Sequence, residues 1–86
     1  MPYISRDRRK ALDEELDILG ENIESVGELD YAFTRLAGLL VKKIGGRSYT
    51  IFNSVIGVFE SAKLEFYRRR LAPYEDKKIQ ENGDVD

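Results

Sequence analysis

Leu12, Leu16, Leu19 and Ile23 recur at spacings of four, three and four, which places them on one stripe of an α-helix. Asp13, Glu14 and Asp17 occupy the opposite face. Ser5 stands where an N-cap would accept from the first free amides, and Asp7 favours the positive end of the helix dipole. The pattern predicts a helix over 6–23, weakened in its last turn by Gly20.

A second stripe follows in Leu29, Phe33, Leu36, Leu40 and Ile44, widened by Ala32, Ala37 and Leu39. It predicts a helix over 28–44. The string SVGE before it offers either Gly27 as N-cap or a Ser25–Glu28 capping box. Lys42 and Lys43 complement the dipole at the far end, and Gly45–Gly46 is a stop signal. After Ser48, the run YTIFNSVIGVF is rich in β-branched and aromatic residues, so a strand is a rival reading. Strict alternation fails there. Phe52, Val55, Ile56, Phe59, Ala62 and Phe66 instead recur at three and four, and a helix over 49–72 is predicted. At about 100° per residue its apolar arc spans roughly 160°, wide enough for two flanking helices or a second subunit.

Pro73 interrupts this pattern. Proline inside a helix costs about 3 kcal/mol, but little at a first helical position. A new short helix over 73–81, ended by Asn82–Gly83, is expected; the alternative is one long helix kinked at Pro73. The fold class expected is therefore all-α: a single small domain, 1–86, of three main helices plus a short C-terminal one. A chain of 86 residues buries only about two thirds of its unfolded surface. Domains of this size usually need a disulfide, a metal or a partner subunit. With neither cysteine nor histidine in the chain, good helix packing and self-association are both expected, the latter through the third helix.

Composition narrows the chemistry. Lacking Cys and His, the chain has no usual ligands for zinc, haem or iron–sulfur clusters, and no cofactor or metal is expected. Its net charge of −2 argues against a dedicated duplex-DNA binder. No apolar run is long enough to cross a bilayer, and the first residues lack a signal peptide's apolar segment, so a cytoplasmic protein is expected. An enzyme would need Ser/Lys, paired carboxylates or a carboxylate-bound metal. Glu60 and Glu65 lie roughly 140° apart on a helix and make no pair. Binding, not catalysis, is the expectation.

The binding candidates cluster in KLEFYRRRLAPYED. Arginine planes stack on aromatic rings and grip phosphate bidentately, so Tyr67, Arg68, Arg69 and Tyr74 suit a nucleotide or another phosphate-bearing ligand. Lys63, inside the apolar arc, is a second cation, while Asn53 and Glu60 could hydrogen-bond a base or ribose. The bland alternatives are specific. Lys63 can snorkel and pair with Glu60, and Glu65 can occupy Arg68 or Arg69 at helical spacing. Gly57, unusual inside a helix, is explained either by close approach of a helix or ligand or by tolerated weakness. GGRSY could hold an anion on backbone amides but lacks the Lys-Ser/Thr of a P-loop. Tyr31 and Arg35, one turn apart, read first as a solvated flank.

The strings MPYI, GELDYAFTRL, SVIGVFESAKLEFYRR and APYEDKKIQENGDV together resemble a family of small uncharacterised proteins of bacterial and phage genomes, described only as a domain of unknown function. Asp30 and Ser61 depart from the Asn and Cys common at those positions in the family. The resemblance carries over no site residue. It implies a phage context, in which small cofactor-free proteins often block host defence by binding an immune effector or its nucleotide signal. The expected function is sequestration of a phosphate-bearing ligand such as a nucleotide immune signal. The alternatives are a protein–protein inhibitor or adaptor of a host defence enzyme, and a purely structural helical oligomer.

Overall fold

The computed structural model describes residues 3–45 and 48–86. All its regular elements are helical: α1 (Arg6–Asn22), α2 (Val26–Ile44), α3 (Tyr49–Phe66), a π-helical turn (Tyr67–Leu71) and α4 (Ala72–Asn82). The all-α expectation holds, and the apolar run after Ser48 is helical, not strand.

Local chemistry explains where each helix begins. The Ser5 side chain accepts from the Arg8 amide at 3.2 Å, as its position suggested. Ser25, not Gly27, caps α2, accepting from the Glu28 amide at 3.1 Å. Glu28 reaches back in turn, but to the Glu24 amide at 2.7 Å, one residue before the cap. This reciprocal pair starts α2 at Val26, two residues earlier than the apolar pattern indicated. Ser48 repeats the cap on α3, accepting from the Ile51 amide at 3.2 Å. α2 ends where Gly45 turns left-handed, with φ of 80° and its amide donating to Val41 and Lys42. Gly83 closes α4, with φ of 83° and its amide 2.8 Å from the Ile79 carbonyl. Gly46 and Arg47, part of the GGRSY loop, lie outside the described residues, as do Met1 and Pro2.

Pro73 does not begin a separate helix after a break. The backbone stays helical from Tyr49 to Asn82, and Tyr67, Leu71 and Ala72 all keep right-handed helical angles. The reason lies one turn upstream. Proline has no amide hydrogen, and its ring collides with the carbonyl four residues back, here Arg69. The helix widens instead of stopping: the Ala72 amide donates to the Tyr67 carbonyl, five residues back, which is the bond of a π turn.

The chain forms two compact units, Met1–Gly46 and Arg47–Asp86. In the first, α1 and α2 meet at their shared corner, where Leu19 and Ile23 lie near Ala32 and Leu36. Ala32, at 9% exposure, is the most enclosed hydrophobic residue described. The stripe expected to form the core of α2 stays largely open: Leu29, Phe33, Leu36, Leu40 and Ile44 are all exposed. The second unit is one helical rod. Ile51 and Val55 are half-buried, while Phe52, Ile56 and Phe66 are exposed. No helix among the described residues is long and apolar enough to cross a membrane.

Candidate functional site

The arginine turn lies within the π-helical segment, and this sets its geometry. In a regular α-helix, residues seven apart sit within about 20° of one another, so Tyr67 and Tyr74 would share a face. The π turn takes up one extra residue. The position below Tyr67 is therefore reached eight residues on, at Glu75, and the Tyr67 hydroxyl donates to Glu75 Oε2 at 3.2 Å. Tyr74 is turned by about 100° to the adjoining flank. There the Lys78 ammonium lies 5.6 Å from its ring centroid, within cation–π range. The two tyrosines expected to cooperate thus stand on different flanks, each with its own neighbour.

The cations divide similarly. Glu65 accepts from Arg69 Nε at 2.6 Å and from Arg68 Nη2 at 3.2 Å, so one carboxylate is shared by both arginines. Their guanidinium groups remain largely exposed, at 68% for Arg68 and 54% for Arg69. Exposed pairs of this kind are worth about 0–1 kcal/mol, and an anionic ligand could exchange for the carboxylate at small cost. Lys63 pairs with Glu60 at 2.9 Å, both exposed, which is the surface pair expected of the bland reading. Asn53, two turns up the helix from Glu60, is exposed. Around Gly57 a Cβ would meet nothing within 4 Å, so close approach within the structure does not account for this glycine.

Tyr67 is a titratable group in this segment whose chemistry is altered chiefly by one neighbour. Its hydrogen bond to Glu75, then the negative charge of that carboxylate, raise its pKa above the ordinary tyrosine value. Deprotonation would break the bond and set two negative charges against each other. Tyr67 is thereby held neutral, as a donor.

A second concavity was not singled out from the residues. At the α1–α2 corner, Leu19, Ile23, Ala32 and Leu36 form the apolar lining of an open groove of about 490 Å³. Glu28, Tyr31 and Arg35 line it too. Tyr31 and Arg35 had read as a solvated flank; the groove gives them a common surface. Their helical spacing was the signal available in the letters, but the groove depends on the turn that joins α1 to α2. Among the described residues, no cluster of three acidic side chains could hold a metal ion.

No curated protein and no solved structure matches the chain. A family pattern does match, over residues 1–85. The chain belongs to the DUF6899 family, described as a domain of unknown function.

Proposed function

We propose that this protein is a small binding protein that sequesters a phosphate-bearing ligand of the nucleotide class, such as a nucleotide immune signal, in an anti-defence role and in the cytoplasm. The observation that supports this most is the π turn: Arg68, Arg69 and Arg70 fall in one widened turn, and two of these arginines, themselves exposed, share one half-buried carboxylate. A phosphate offers the same bidentate acceptors as Glu65 with more charge. Tyr67 and Tyr74 flank the turn on two sides, Tyr67 as a fixed hydroxyl donor and Tyr74 as a ring open to stacking. Lys63, Glu60 and Asn53 extend the polar surface along α3. In this reading the protein has no catalytic group and needs no cofactor, and assembly through α3 brings several copies of the turn together.

Thermal denaturation with a panel of mono-, di- and cyclic nucleotides tests it. A ligand bound only by the folded chain raises the melting temperature by mass action, about 2.7 kcal/mol of stabilisation at a hundredfold excess over Kd. Arg68→Ala combined with Arg69→Ala should abolish the shift. No shift with any nucleotide at concentrations well above micromolar rejects the reading.

The second reading is a protein–protein inhibitor or adaptor, and one observation favours it. From Tyr49 to Phe59 α3 carries no charged residue, and Phe52, Ile56 and Val58 are exposed. A helix apolar over so much of its circumference calls for cover. Co-purification of a host protein with Arg68→Ala intact would select this reading over the first.

A further inference from the structure

The charges of α1 are arranged in two blocks. Arg6, Arg8, Arg9 and Lys10, interrupted only by Asp7, occupy its first half; Asp13, Glu14, Glu15, Asp17 and Glu21 occupy its second. Apart from Asp7, both blocks oppose the helix's own dipole, which favours acids at the start and bases at the end. Among the described residues none of these side chains has an ion-pair partner, although Arg9 and Asp13, and Lys10 and Glu14, stand four apart. Elsewhere in the chain, charges three or four apart do pair: Glu60 with Lys63, Glu65 with Arg68 and Arg69, Lys78 with Glu81. Arg9 adds a further sign of incompleteness, because its Nε is removed from water yet meets no acceptor. Between the blocks runs an apolar seam in which Leu12 and Leu16 are exposed.

We propose that α1 pairs antiparallel with α1 of a second copy of this chain, about a twofold axis near Leu12, setting its basic half against the other copy's acidic half. The helical wheel supports the match. Arg8 and Glu15 are seven residues apart and so lie about 20° from each other, on the same flank of the Leu12–Leu16–Leu19 seam. A twofold axis beside Leu12 brings Arg8 of each copy level with the other copy's Glu15, and the pair forms twice. On the other flank Arg9 comes within about a residue's rise of level with the other copy's Asp13, in reach of its long side chain. The hydrophobic seam closes Leu12 on Leu12. A parallel pair would set like charges side by side, so the blocks specify direction as well as partner. The charge-free first half of α3 has nothing to answer the blocks, which is why the partner surface is α1 itself. This pairing is independent of any ligand at the arginine turn.

The absence of cysteine in the chain makes the test direct. In the full-length protein, Leu12→Cys under mild oxidation should give a disulfide-linked dimer, because the pairing sets the two Cβ atoms within reach of the roughly 4 Å a disulfide needs. Glu14→Cys, on the far side of the helix, should not. Independently, Arg8→Glu and Glu15→Arg should each weaken association by about tenfold in sedimentation equilibrium, and the two together should restore it. Circular dichroism of each variant reports that the helices persist. A monomeric native chain overturns the proposal. So does Leu12→Cys linking no better than Glu14→Cys, or a Leu12→Cys link whose yield neither charge reversal lowers.

Discussion

The charges of α1 and those of the α3–α4 rod follow opposite rules. In α1 the signs are largely separated into blocks and unpaired among the described residues; in the rod several opposite charges pair three or four residues apart. Local pairing makes a helix surface self-sufficient in its electrostatics. Block separation leaves a field that only another surface can answer. The apolar residues differ less between the units. The rod's first half has a broad apolar arc with little in its own unit to cover it, whereas the first unit encloses Ala32 at the α1–α2 corner. The first unit is therefore open in its charges as well as along the α2 stripe, and the second chiefly in its apolar arc.

The comparison can be broken most strongly at Ala32. Ala32→Asp sets a carboxylate among Leu19, Ile23 and Leu36, with Arg35 one turn away as its nearest cation, at a cost of about 1–3 kcal/mol. Amide exchange should rise across α1 and α2 and change little along the rod; a uniform rise would show that the two units open together.

Pro73→Ala acts on the rod alone. It restores a donor for the Arg69 carbonyl and removes the reason for the π turn, so the rod should gain about 1–3 kcal/mol in denaturant unfolding. The phase of α4 should shift with it, bringing Tyr74 in place of Glu75 beneath Tyr67. Loss of the Tyr67–Glu75 hydrogen bond, read by the tyrosine hydroxyl resonance or by a crystal structure, checks the rotation.

The serine caps allow a like-for-like comparison between units. Ser25→Ala and Ser48→Ala should each cost about 1 kcal/mol in thermal unfolding. Ser25→Ala should exceed the other by a few tenths, since the Glu28 carboxylate that returns to the Glu24 amide is positioned by the same cap.

The smallest effect concerns Tyr67. The folded chain holds its proton more tightly than the unfolded chain does. Its contribution to stability is therefore present below the ordinary tyrosine pKa and lost as pH rises through the raised one. Glu75→Gln should move the Tyr67 step of an alkaline absorbance titration downward, with no change in the melting temperature at neutral pH beyond a degree or two. An unmoved step would show that Glu75 is not the cause.

Much of the fold was legible because its signals are local. A serine three residues before a free amide, a glycine at the end of a periodic run and a spacing of three and four each act within one or two turns of backbone. The helix starts at Arg6 and Tyr49 and the stops at Gly45 and Gly83 followed from them. The start of α2 was missed by two residues because an apolar stripe reports a helix's inner face and not its first turn. The candidate site was legible in its members but not in its arrangement. Pro73 marked a disturbance; whether the chain would break, kink or widen depended on which carbonyl each neighbouring amide could reach.

The sequence by itself determined that this chain is helical, where its caps lie, and that neither cysteine nor histidine is available for its chemistry. These follow from composition and from interactions between neighbours along the chain. Only the tertiary structure decided that Tyr67 faces Glu75 and not Tyr74, that Arg68 and Arg69 share one carboxylate, and that Ala32 lies deeper than the leucines and phenylalanine around it. Those facts depend on one residue's worth of helical phase and on the corner between two helices, and both are set by backbone hydrogen bonds and packing that no spacing in the sequence specifies.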